Sequence, residues 1–143
     1  MAGKVFLDTD VILDFLLDRE PFSESASKLF DLGETGQLEL FTSALAVNNI
    51  HYILRKLIGS KKSIEVVADL IDMIQCVEVG VEQLRHSIQS KFRDFEDGIQ
   101  HATALKIVGL EAIITRNHRD FRKSQLPIFD PESFLHVIKK AEC

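Results

Sequence analysis

The chain has 143 residues, a formal net charge of −5, 45% hydrophobic residues and 27% charged ones. That length suits one domain with a sizeable core, residues 1–143, and excludes a second of similar size. The acid excess argues against a broad, nonspecific nucleic-acid surface. No apolar run approaches the roughly 20 residues of a membrane span, so a cytoplasmic protein off the membrane is expected.

The first element is a strand at 4–7, Lys4-Val5-Phe6-Leu7, which runs straight into Asp8. Helical patterns follow at 10–18 and 22–35, then a strand at 38–41. Ser43 is placed to cap a helix whose apolar residues run from Ala44 to Leu57 and stop at Gly59. A helix at 63–74, a strand at 76–79, a helix from Val81 to about Lys91 and a helix from Asp94 to Val108 come next. Strands at 112–115 and 127–129 follow, and Pro131 opens a last helix at 131–140. Strands and helices alternating on short connections predict an α/β fold, an α/β/α sandwich around a mostly parallel sheet of 4–5 strands. With only Cys76 and Cys143, and no secretion signal, a reduced chain without a disulfide framework or zinc site is expected.

Three places carry the chemistry. Asp8 closes the first strand, where ligands of open α/β sheets collect; its structural alternative is a helix N-cap. Asp94-Phe95-Glu96-Asp97-Gly98 crowds three acids into four residues at a helix start. A cap at Asp94 and the helix dipole account for Asp94 and Glu96 better than for Asp97. His101, one turn beyond Asp97, is placed for a surface pair with it. The third is Thr115-Arg116-Asn117-His118-Arg119-Asp120-Phe121-Arg122-Lys123, where a buried strand ends in polar oxygens and four basic residues. Arg55, Lys56, Lys61 and Lys62 form a second basic cluster about Gly59-Ser60.

In this order and at this length, the segments Phe6-Leu7-Asp8-Thr9-Asp10, Phe95-Glu96-Asp97-Gly98-Ile99-Gln100-His101-Ala102 and Ile114-Thr115-Arg116-Asn117-His118-Arg119-Asp120-Phe121 resemble the PIN-domain family of metal-dependent ribonucleases, toxins of toxin–antitoxin pairs among them. The resemblance implies Asp8 and Asp97 as ligands of Mg²⁺ or Mn²⁺, with Thr115, Asn117 and Asp120 completing the site. It departs in one respect. The family's glutamate on the second strand–helix unit falls on Asn49 (Asn48 if the register slips by one), and its later strand-end acid falls on Asn117, with Asp120 the nearest carboxylate. Asp8 and Asp97 would then carry most of the site's charge, with Asn49, Thr115 and Asn117 orienting water or phosphate oxygens. Glu96 is a candidate substitute whose direction the sequence leaves open. The implied activity is hydrolysis of RNA phosphodiesters, with Arg116 to Lys123 tracking the RNA backbone. A homodimer and an antitoxin protein are the implied partners.

Two other readings stand beside it. Asp8-Thr9-Asp10-Val11 also fits the opening motif of haloacid-dehalogenase-like phosphatases, but that pattern needs a lysine and a paired set of acids downstream. After Thr115 the chain offers only Asp120, Asp130, Glu132 and Glu142. With amides where acids are expected, an inactive or weakened RNA- or protein-binding module is the non-enzymatic alternative.

Overall fold

The computed structural model describes residues 2–142. Five strands form one sheet: β1 Gly3–Leu7, β2 Leu38–Ser43, β3 Gln75–Val77, β4 Leu110–Ile114 and β5 Ile128–Phe129. Their order is β3-β2-β1-β4-β5 and every pairing is parallel. The helices are α1 Thr9–Leu16, α2 Ser23–Glu34, α3 Ala44–Ile58, α4 Ser60–Met73, α5 Val81–Gln89, α6 Phe95–Ala104 and α7 Pro131–Glu142. The chain thus builds outward from β1 to β3, then crosses back to add β4 on the other side of β1. That reversal opens a crevice beyond the carboxyl ends of β1 and β4.

Successive strand residues face opposite sides, and the apolar runs fill both. Val5 and Leu7 pack with Val11, Ile12, Leu29, Leu40 and Ile114 in the larger core, whereas Phe6 packs with Phe41, Ala104, Ile113 and Phe121 in the smaller one. Among the described residues no helix is long and apolar enough to cross a membrane. Cys76 is exposed with a free thiol; Cys143 lies outside the described residues.

Most expected elements appear with small shifts of their ends, and two differ in kind. The helix expected from 63 begins at Ser60, because Gly59 takes φ +87° and turns α3 directly into α4. The helix expected to reach Val108 stops at Ala104. Lys106 and Ile107 donate to the carbonyls of Thr103 and Ala104, tightening the last turn to three-residue spacing, and Gly109 at φ +80° ends it. The break turns Ile107 and Leu110 into the smaller core, which a continuous helix would not do.

Gly98 is set by packing, not by a turn. A Cβ there would overlap Ser87 Oγ of α5, whose hydroxyl donates to the Phe95 carbonyl at 2.6 Å. Gly98→Ala would ordinarily favour a helix by about 1 kcal/mol. Here it is expected to lower stability instead, by roughly 1–3 kcal/mol in urea denaturation, because α5 must move off the start of α6.

Candidate active site

Asp8 serves both of the roles its position allows. Its backbone N–H donates to Ile114 at 3.0 Å, extending the β1–β4 pairing by one residue. It then caps α1, with Oδ1 accepting from the Thr9 N–H at 2.8 Å, while Oδ2 accepts from the Thr115 hydroxyl at 2.8 Å. Burial raises the pKa of this carboxyl, opposed by the hydrogen bonds of Thr115 and Thr9 and by the Gln100 amide that faces it, and the charge of Glu96 adds to the rise. Asp10 lies beside it, taking the Arg116 N–H at 3.1 Å, and is pushed up to about 6 by burial and then by Asp8.

The second acid comes from the start of α6. Asp94 is the N-cap, its Oδ1 accepting from the Asp97 N–H at 2.9 Å. Asp97 is pushed up to about 7, first by burial and then by the charges of Asp8, Asp94, Asp120 and Glu96 in turn. Asp97 therefore feels four other acids, drawn from β1, the start of α6 and the loop after β4.

The two asparagines do not leave gaps. Asn49 Nδ2 donates to Glu96 Oε1, and Asn117 Nδ2 donates to Asp120 Oδ2. Asn117 also sends its backbone N–H to Thr115 Oγ1 at 3.0 Å. Asn49 thus grips a carboxylate from a distant helix, and Asn117 one three residues on in its own loop. Glu96 and Asp120, the carboxylates these amides hold, both act by their charge on Asp97. The side chains of Asn49, Thr115 and Asn117 are engaged in holding acids.

Two buried groups on α6 complete the surroundings. Gln100, 1% exposed, accepts from the Ser43 hydroxyl that caps α3, while its Nε2 faces Asp8 with no hydrogen bond of good geometry. His101 does not pair with Asp97 at the surface as expected. It is 2% exposed, stacks on Phe92 at 4.8 Å, and accepts the Gln125 N–H at Nε2. Burial and then His86 lower its pKa from 6.5 to about 4, so it is neutral near pH 7.

The basic segment also divides differently from its sequence reading. Arg116 is structural: Nε and a terminal nitrogen hold the two oxygens of Asp14 at 2.6 and 3.1 Å, and the guanidinium lies 3.8 Å over the Phe22 ring. Asp14 is fully buried, with Arg19 as its second cation at 2.9 Å. Arg116→Ala is expected to lower the unfolding free energy by roughly 3 kcal/mol in urea titration, because Asp14 then keeps only Arg19. A loss under about 0.5 kcal/mol would return Arg116 to the surface cations. His118 is 3.6 Å from Asp130. Arg119, Arg122 and Lys123 remain, and Lys91 and Arg93 join them across a narrow cleft of about 40 Å³ that Asp94 and Asp120 also line. Lys91 and Arg93 were missed because they follow α5, in a segment read only as a helix end.

The PIN domain family profile matches residues 4–119. The chain belongs to the PIN domain family. The match takes in Asp8, Asn49, Asp97, Thr115 and Asn117 and stops one residue before Asp120. The ribonuclease VapC1 of Aquifex aeolicus (strain VF5) is 24% identical over 138 residues, covering 93% of this chain and 94% of that protein. Among solved structures, a toxin–antitoxin complex from Klebsiella pneumoniae superposes with a TM-score of 0.64 at 18% identity, covering 89% of this chain and 97% of that one. VapC20 of Mycobacterium tuberculosis, described as a toxin cleaving the sarcin–ricin loop, gives 0.60 at 14% identity, covering 76% and 86%. These structures share the PIN fold with this chain.

The phosphatase reading falls with that assignment. The strand end that would supply its paired acids, after Ile114, carries Thr115 and Asn117 instead, and Asp10 is turned to the backbone of Arg116. In this PIN domain the crevice holds acids drawn from three places: the end of β1, the start of α6 and the loop after β4.

Proposed function

We propose that this PIN domain is a divalent-metal-dependent ribonuclease that hydrolyses RNA phosphodiesters, and that it acts in the cytoplasm as the toxin of a toxin–antitoxin pair. One observation carries the reading: Asp8 and Asp97 are delivered by different elements to one crevice, where burial disfavours the charged form of each and the charge of Asp8 adds to the rise at Asp97. A cation is what such a pair lacks.

The donors fit Mg²⁺ or Mn²⁺, since carboxylate oxygens are the hard ligands these ions take and two suffice for an ion that keeps several waters. Asp8 and Asp97 would hold it. Once bound there, the ion supplies charge to the phosphate and a more acidic water. Thr115 fixes Asp8 through its hydroxyl, and Asn117 fixes both Thr115 and Asp120. The orphaned Nε2 of Gln100 offers a buried donor to a water or phosphate oxygen. Against the non-cutting alternative, which rested on missing charge, the carboxylates of Glu96 and Asp120 beside the two amides support cutting.

Lys91, Arg93, Arg119, Arg122 and Lys123 give the otherwise acidic protein a local surface for a phosphate backbone beside the acids. Arg93→Ala combined with Arg122→Ala is expected to weaken RNA binding about tenfold and to lower the salt slope by roughly 0.7 per lost contact, read by fluorescence anisotropy across a salt series. A double variant with an unchanged slope removes this edge from the RNA path. The exposed apolar side chains of Tyr52, Leu57, Ile64 and Ile71 on α3 and α4 support a protein partner, an antitoxin or a second copy.

The deciding experiment is cleavage of single-stranded RNA by purified protein with Mg²⁺ or Mn²⁺ and with a chelator. Cleavage that requires the ion is the expected result. RNA bound but never cut with either ion would return the domain to a binding role.

A further inference from the structure

Phe22 is an exposed aromatic side chain that the nuclease reading leaves unused. It stands just before α2, 39% exposed, with the Arg116 guanidinium 3.8 Å over its ring. The two side chains line a cavity of about 510 Å³, with Pro21, His118, Asp130 and Glu132 around them. This cavity adjoins the acidic crevice. Arg116 follows Thr115, whose hydroxyl holds Asp8, and its own backbone N–H holds Asp10.

The loop after β4 therefore separates two unlike surfaces. Arg119, Arg122 and Lys123 line the narrow cleft that suits a phosphate backbone, whereas Arg116 and His118 line this cavity. Here the cations are already committed. Arg116 is held by both oxygens of Asp14, and His118 Nε2 stands 3.6 Å from Asp130 Oδ2. Glu132 borders the same space and, among the described residues, forms no ion pair. A phosphate would meet uncompensated negative charge there. A flat, neutral group would meet an aromatic ring and a guanidinium plane, the surfaces on which single-stranded bases stack.

The rim groups select among the bases. Asp130 Oδ1 and Oδ2 accept from the Ser133 N–H and hydroxyl at 2.8 and 3.1 Å, which leaves each oxygen a further lone pair. With Glu132, the rim thus presents carboxylate acceptors in excess of donors. Guanine alone among the four RNA bases carries a ring N–H and an amino group side by side, the pattern that two carboxylate oxygens match. Resting on the nuclease reading, we infer that this cavity is a nucleobase subsite of the RNA path and is selective for guanine. Phe22 and Arg116 supply the stacking surface, and Asp130 and Glu132 accept from the N–H groups of the base edge.

The test is binding of uridine hexamers to the full chain with metal chelated, read by fluorescence anisotropy. The hexamers carry one central guanosine, adenosine or cytidine, or none. The guanosine hexamer is expected to bind about tenfold tighter than the others. Asp130→Asn combined with Glu132→Gln is expected to reduce that preference to within about twofold without weakening the all-uridine hexamer. Asparagine still caps α7, so the melting temperature is expected to hold. Phe22→Leu keeps an apolar side chain beneath Arg116 and is expected to weaken the guanosine hexamer about tenfold. Hexamers bound alike within about twofold, a preference for adenosine or cytidine, or a guanosine preference that survives the double variant overturns the inference. Ion-dependent cleavage by the natural protein decides the nuclease reading separately. A natural protein that binds none of the hexamers but cuts longer RNA overturns this inference alone, and one that neither binds nor cuts overturns both.

Discussion

Asp97→Asn is expected to lower metal-dependent RNA cleavage by about 10³-fold or more while raising the melting temperature of the metal-free protein. The loss corresponds to roughly 4 kcal/mol of transition-state stabilisation, the scale of a lost metal function. The gain has a separate cause. Asp97 is half-buried among Asp8, Asp94, Asp120 and Glu96, which together with burial lift its pKa from 3.8 to about 7. An amide of the same shape escapes that repulsion, and with partial solvent screening the relief is on the order of 1–2 kcal/mol. The helix start is undisturbed, because Asp94 caps the backbone N–H of residue 97 and not its side chain. Cleavage assays and scanning calorimetry on one preparation give both readouts. An Asp97→Asn protein that melts lower and still cuts would sink the assignment of Asp97.

The second large effect is on pH. Asp97 and Asp10 are raised to about 7 and about 6, so the folded chain holds protons that the unfolded chain has released above about pH 4. Stability from these carboxyls is greatest at low pH and is lost as pH rises through 6 to 7. His101 works in the opposite sense. Its pKa falls from 6.5 to about 4 on folding, so its contribution is complete above 6.5 and lost as pH falls toward 4. Two raised carboxyls outweigh one lowered imidazole between these limits, so the metal-free melting temperature is expected to fall as pH rises from about 4 to about 7. Protons compete with a cation for the same oxygens, so Mn²⁺ is expected to raise the melting temperature more at about pH 8 than at about pH 5.5, and cleavage to rise through pH 7. Equal Mn²⁺ shifts at both pH values would place the ion away from Asp97.

Much of the frame is legible along the chain. Val5-Phe6-Leu7 and Ala112-Ile113-Ile114 are short apolar runs, and their ends deliver Asp8 and Thr115 to the same edge. Caps at Ser43 and Asp94 follow from side chains that can accept a backbone N–H a few residues on. What periodicity cannot convey is which distant side chains meet. Asn49 and Glu96 are 47 residues apart, so the amide reads as a lost acid until the fold sets α3 against α6. Arg116 reads as a free cation because Asp14, its buried partner, lies 102 residues away on α1. The end of α6 escaped for a different reason: residues 105–108 keep a helical pattern, but the smaller core required Ile107 and Leu110 to turn inward.

The late position of β4 has a consequence for how this protein is made. The hydroxyl that orders Asp8 arrives 107 residues after it, and Asp97 lies at the start of the helix leading into β4. A chain emerging from the ribosome can pair β1 with β2 long before either is present. The crevice therefore assembles only when the last third of the protein has been synthesised, and the repulsion among its acids is deferred to that step. Truncated or stalled products ending before β4 are inert by construction, and hydrolytic capability appears in one late event of synthesis.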